Sequence, residues 1–161
     1  TTITVHLTVP RLTNIAPAPQ TPPPPLRQFP GLAVLIADDN RTNLTILTTM
    51  LQGLGAKVTC VENGSQALDA FRTGRFDVVF LDISMPVMDG VEALREIRRT
   101  AQGCGLPLPP IIAATAHAQS DQADFYCQQG FDAVLTKPFS ASRIAEILTR
   151  TLPGNTSQTP P

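Results

Sequence analysis

An α/β fold, a doubly wound parallel sheet of five strands, is predicted for residues 32–152 on three observations. Five short apolar runs alternate with five stretches of helical periodicity. Most of the runs are continuously apolar rather than apolar at every second residue, so helices cover both faces of the sheet they form. Four of them stop abruptly at Asp, Thr or Lys, as expected of a parallel sheet that delivers polar side chains to one edge.

The first run, Ala33 to Ala37, stops at Asp38-Asp39-Asn40. Leu44, Leu47, Leu51 and Leu54 then recur at helical spacing, Ile46 and Met50 widen the stripe, and Gly53 and Gly55 end it. Lys57 to Val61 is the second strand, and Ser65 to Arg72, with Ala67, Leu68 and Phe71, a short helix. Phe76 to Leu81 is the third strand, handing Asp82 to a loop that contains Pro86 and Gly90. Val91, Leu94 and Ile97 mark a third helix, expected to close at Arg98 and Arg99, whose charges suit the negative end of its dipole. Residues 101–109 read as a loop, and Ile111 to Ala114 as a fourth strand stopping at Thr115. A weakly amphipathic helix over 119–129 precedes the fifth strand, Ala133 to Leu135, which ends at Thr136-Lys137-Pro138. Ile144, Ile147 and Leu148 define the last helix.

The flanks differ in kind. Thr1 to Leu12 alternates, with Ile3, Val5, Leu7 and Val9 on one face, the pattern of a half-buried strand that needs a sheet from elsewhere. Residues 13–31 contain Pro17, Pro19, Pro22 to Pro25 and Pro30, a composition that makes an extended spacer or, less commonly, a ligand for a polyproline-binding domain. The tail 153–161 is expected to be disordered. Beginning at Thr1 rather than Met, the sequence reads as a piece of a longer protein.

With 42% hydrophobic residues the chain can build a core, and a net charge of -1 gives no footprint for nucleic acid or anionic lipid. No run is long enough to span a bilayer. Cys60, Cys104 and Cys127 are odd in number and scattered, which argues against a disulfide framework or zinc and for a reducing, cytoplasmic setting.

Ligands of an open parallel sheet bind beyond the carboxyl ends of its strands, where Asp38, Asp39, Asp82, Thr115 and Lys137 are predicted to meet. Singly, each has an ordinary reading: an Asp pair caps a helix, a strand-end Thr bonds backbone, Lys-Pro sits in a turn. Together they make a site. Three carboxylates in one pocket call for a hard divalent cation with oxygen ligands, most naturally Mg2+, and Lys137 and Thr115 add donors for a phosphoryl group. Such a set suits phosphoryl transfer, which needs positioning and charge neutralisation.

Asp38-Asp39-Asn40, the segment Leu81-Asp82-Ile83-Ser84-Met85-Pro86-Val87-Met88-Asp89-Gly90, Ala114-Thr115-Ala116 and Lys137-Pro138-Phe139 resemble the receiver domain of two-component response regulators. The resemblance covers residues 32 to about 152 and implies a flavodoxin-like (βα)5 sheet with strand order 2-1-3-4-5. It makes Asp82 the phosphoacceptor, taking a phosphoryl group from phosphohistidine. It gives Mg2+ direct ligands from Asp39, Asp82 and the main-chain carbonyl of Ser84, with Asp38 acting through water. Lys137 would pair with Asp82 at rest and with the phosphoryl group afterwards, Thr115 would swing toward it, and the bond before Pro138 would be cis. Ala116 leaves room for access. Ser84 and His117 flank the path of attacking water and tune the lifetime of the phosphoryl group, His117 reading equally well as an exposed loop residue. The sequence departs from the family at Val134, where an aromatic ring usually serves as a two-position switch. With Val there, readout falls to Thr115 and the fourth helix, or the domain mainly relays phosphate.

Thr1 to Val9 followed by Pro10-Arg11-Leu12 is similar to the last strand of a histidine kinase ATP-binding domain. This layout of kinase remnant, linker and receiver resembles the C-terminal part of a hybrid sensor histidine kinase, a free response regulator being the other parent considered. The implied partners are a histidine kinase phosphodonor and a histidine phosphotransfer protein, with a homodimer through the fourth helix, fifth strand and fifth helix also within the family's range. Phe125 and Tyr126 are candidate surface contacts, at least one of them expected to pack inward. No kinase active site is encoded in these residues. Two other readings stay open: a Mg2+-dependent phosphohydrolase with an Asp nucleophile, against which Ser84 stands where a second Asp would act, and a degenerate receiver that only binds protein.

Overall fold

The computed structural model describes residues 27–116 and 120–152. The expected strand over 1–12, most of the linker, His117 and the tail 153–161 lie outside them. The elements are β1 (Ala33–Ala37), α1 (Arg41–Gly53), β2 (Lys57–Val61), α2 (Gly64–Thr73), β3 (Val78–Asp82), α3 (Gly90–Cys104), β4 (Ile111–Thr115), α4 (Ser120–Gln129), β5 (Ala133–Thr136) and α5 (Ala141–Thr151). All four strand pairings are parallel, in the order β2-β1-β3-β4-β5. This is the predicted α/β sheet.

Alternate residues of each central strand serve opposite faces, and that geometry makes two cores from continuous apolar runs. Val34, Ile36, Val78, Phe80, Ile112 and Leu135 pack under Leu44, Leu47 and Leu51 of α1 and Ile144, Ile147 and Leu148 of α5. Leu35, Val79, Leu81, Ile111 and Ala113 pack against Ala67, Leu68 and Phe71 of α2 and Ala93, Leu94 and Ile97 of α3. Each fully buried Leu, Ile or Phe contributes roughly 1.5–3 kcal/mol, so these interleaved sets hold the sheet that carries the strand ends. Asn40, Asn63, Asp89 and Ser140 cap α1, α2, α3 and α5 by accepting a backbone N–H of the first turn.

Three expectations differ from the structure. Helix α3 does not close at Arg99 but runs to Cys104: Ala101 continues the buried stripe four residues after Ile97, Gly103 stays helical, and Gly105, at φ 64°, makes the left-handed cap. Arg98 and Arg99 are therefore mid-helix, and neither meets the dipole's negative end: Arg98 Nη2 donates to the carbonyl of Gly130, and Arg99 pairs with Glu96. Strand β3 begins at Val78 rather than Phe76 and includes Asp82. The packed unit also starts before Leu32. Phe29 is buried, its N–H bonds the Leu54 carbonyl at 2.6 Å, and Gly31 N–H bonds that of Gly55 at 3.0 Å.

Candidate functional site

Register brings the site together. Ala37 of β1 lies beside Leu81 of β3, so the next residues, Asp38 and Asp82, leave the sheet side by side. Asp82 is paired with Ala114, and Thr115 with Thr136, which sets Thr115 and Lys137 at the same edge. Lys137 N–H donates to the Thr115 carbonyl at 2.8 Å, anchoring the lysine where β5 ends. Its peptide bond to Pro138 is cis.

Lys137 Nζ donates to Asp38 Oδ2 at 2.8 Å and to Asp82 Oδ1 at 3.0 Å. Oxygens of Asp38, Asp39 and Asp82 all lie within 4.8 Å of one another, with Asp38 and Asp82 buried and Asp39 exposed. Burial raises the Asp82 carboxyl above its ordinary range, and the neighbouring charges of Asp38 and Asp39 add to the rise while Lys137 opposes it. For Lys137, burial works against the ammonium, but its bonds to Asp38 and Asp82 outweigh that and raise it. The excess of carboxylates over ammonium groups favours the protonated form of both, while burial adds to the rise at Asp82 and opposes it at Lys137.

The loop after Asp82 is held close. Ile83 N–H bonds the Ala114 carbonyl at 3.1 Å and Gly90 N–H bonds that of Ile83 at 3.1 Å. A side chain at position 90 would strike the Asp82 carbonyl oxygen, so glycine lets the first turn of α3 press against the backbone of the acidic residue. Ser84 and Ala116 are exposed at the mouth, and Thr115 is buried.

Sequence reasoning missed Asn43 and half of the lysine's bonding. Asn43 Nδ2 and the Asn40 N–H both donate to Asp38 Oδ1, at 3.1 and 2.9 Å, so with Lys137 on the other oxygen Asp38 is held by three donors. The available signal was a polar residue in the first turn of α1, next to the inward-facing Leu44. Val134 is half-buried in the second core, where Tyr126 and Phe131 also pack, their rings edge to face at 6.1 Å. Phe125 is exposed and Tyr126 partly buried, so one of the two candidate contacts faces solvent.

Known proteins resemble this chain in sequence and fold. A stretch 43% identical over 116 residues occurs in the sensor histidine kinase GacS of Pseudomonas protegens; it is 71% of this chain but only 12% of that protein's length. The receiver domain of sensor histidine kinase PA1611 from Pseudomonas aeruginosa, solved with a magnesium ion coordinated in its active-site cleft, is 37% identical with a TM-score of 0.66. The similarity covers 75% of this chain and 97% of that one. The receiver domain of Ssk1 from Saccharomyces cerevisiae, solved with the histidine phosphotransfer protein Ypd1, aligns with TM-score 0.70 at 26% identity, over 78% and 91% of the two chains. The response regulator receiver domain profile matches residues 34–149, more than half of the sequence. Sequence and fold agree, and the chain belongs to the response regulator receiver domain family.

Proposed function

We propose that the site accepts a phosphoryl group on Asp82 from a phosphohistidine. The observation that carries this reading is Lys137 Nζ bridging Asp38 and Asp82 at the strand ends, with Asp39 in reach. An Asp82 carboxylate oxygen attacks phosphorus, the phosphorus–nitrogen bond of the donor breaks, and the imidazole leaves with that electron pair. Lys137 keeps the nucleophile oriented, then turns its ammonium to an oxygen of the transferred group. Thr115, at the end of β4, offers a hydroxyl to another oxygen. Asp38 stays fixed by Asn43 and the Asn40 N–H while the lysine shifts.

The donor set fits Mg2+. Clustered carboxylate oxygens, one residue exposed and two buried, suit a hard octahedral ion that retains waters. Asp39, Asp82 and the Ser84 carbonyl would hold it directly, with Asp38 acting through water. When bound, the ion supplies neutralisation of the negative charge that gathers around phosphorus.

The GacS likeness and the sequence features outside the described residues support a hybrid sensor histidine kinase as parent, this being its cytoplasmic receiver. In that arrangement residues 1–12 close the kinase's ATP-binding domain, a Pro-rich linker follows, and a histidine phosphotransfer protein of the kind seen with Ssk1 takes the phosphoryl group onward. His117 and Ser84 tune its lifetime. Among the described residues no helix is long and apolar enough to cross a membrane. Incubation with a phosphorylated histidine kinase module and Mg2+ should label the chain, and Asp82→Asn should abolish the label. Labelling that survives in a folded Asp82→Asn protein overturns the assignment.

A further inference from the structure

At the amino ends of the strands, opposite the acidic site, lies an open groove of about 740 Å³. Among its lining residues are Arg27, Arg75, Phe76, Leu108 and Pro110 of the α3–β4 loop, and Leu152. We propose that this groove docks the chain's own proline run, Pro22 to Leu26, and that the occupant joins the folded unit at Arg27.

Three features of the groove favour this occupant. The first is continuity: Arg27 lines the groove, and 26 residues of chain precede it, so Leu26 and the prolines before it arrive tethered at the groove. A tether this short gives an effective concentration on the order of millimolar, which a separate proline-rich peptide has to exceed. The second is shape and apolarity. Leu108 is 44% exposed and Phe76 half-buried, a surface of the kind that receives polyproline strands, whose extended conformation is already populated and costs little entropy to order.

The third is hydrogen-bond complementarity. Pro22 to Pro25 have no backbone N–H, so the run presents carbonyl acceptors only and needs donors from its host. The lining prolines Pro107, Pro109 and Pro110 likewise have none to give. Arg75 does: its guanidinium carries five N–H donors, Arg75 is exposed and lines the groove, and it has no hydrogen-bond or ion-pair partner among the described residues. Asp77, also at the groove, accepts the Ala33 N–H at 2.8 Å and makes no hydrogen bond or ion pair with Arg75. Acceptor-only segment and donor-bearing apolar groove match.

The test uses the 161-residue chain. Backbone amide shifts are compared between the native chain and one in which Pro22→Gly, Pro23→Ser, Pro24→Gly, Pro25→Ser and Leu26→Ser are combined. Shifts at Arg75, Phe76, Leu108 and Leu152, remote in sequence from the substitutions, are expected, with Asp82 and Lys137 unmoved. Because the chain has no Trp, Leu108→Trp supplies a single indole in the groove. Its quenching by acrylamide should rise when the proline run is replaced, and Arg75→Ala should lower the docked-to-undocked ratio at least about tenfold, as loss of a hydrogen bond to a charged donor does. Unmoved groove amides in the replaced chain overturn the proposal. So does a groove that responds to replacement of residues 153–161 rather than 22–26, which makes the tail the occupant, or a quenching that depends on protein concentration, which makes it a second copy.

Discussion

The two edges of one sheet use the same residue type in opposite ways. At the carboxyl edge Asp38 and Asp82 are buried beside each other and beside Asp39, sharing one lysine. At the amino edge Asp77 and Asp132 are exposed, and each stitches two strands together. Asp77 N–H donates to the Ala33 carbonyl while its Oδ2 accepts the Ala33 N–H, both at 2.8 Å. Asp132 does the same with Ile111, at 2.9 and 2.8 Å. The amino-edge carboxylates take donors that the sheet would otherwise leave unpaired, and so they stabilise the fold. Those at the carboxyl edge crowd like charges in a buried place, a cost that the fold bears for chemistry.

The contrast can be broken from either side. The largest expected effect is at Lys137: Lys137→Met should slow phosphoryl transfer by roughly 10²–10³, the usual result of deleting a donor to developing charge, measured as the initial rate of labelling from a phosphohistidine donor. Gly90→Ala drives a methyl group into the Asp82 carbonyl and should lower stability by about 2 kcal/mol, read as a lower urea midpoint. Asp77→Ala and Asp132→Ala should each cost about 1 kcal/mol and leave the rate of transfer unchanged; a slowed transfer would merge the two edges into one functional unit.

The smallest effect is also the sharpest. Because the folded-state pKa of Asp82 is raised, its contribution to stability is favourable below the ordinary carboxylate value of 3.8 and is lost as pH rises through the folded value. Without Mg2+, Asp82→Asn escapes that loss, so its Tm should exceed that of the unaltered chain at neutral pH. The difference should vanish as the pH is lowered to the ordinary value.

How much of this was legible follows from what is local. Strand ends can be read from a single run of sequence, and Asp38, Asp39, Asp82, Thr115 and Lys137 all announced themselves that way. The amino-edge pairs did not. Asp77 and Asp132 merely precede apolar runs, and their partners lie 44 and 21 residues away. Asn43 was hidden for a related reason, since its role depends on the exit direction of Asp38 rather than on its place in the helix. The end of α3 was misread because two arginines looked like a terminus, whereas burial of Ala101 and the left-handed turn at Gly105 decide where it stops. Phe29 was assigned to the linker by its proline-rich neighbours, although its aromatic ring finds the core.

The lysine bridge also bears on the valence of a bound cation. Three carboxylates less one ammonium leave a formal charge of −2 at the sheet edge. A monovalent ion leaves that pocket half compensated, and a trivalent one overshoots. A divalent ion brings it to neutrality with the lysine still in place. The ratio of acidic to basic groups thus favours a divalent ion on charge alone, and size and coordination number discriminate among divalent ions.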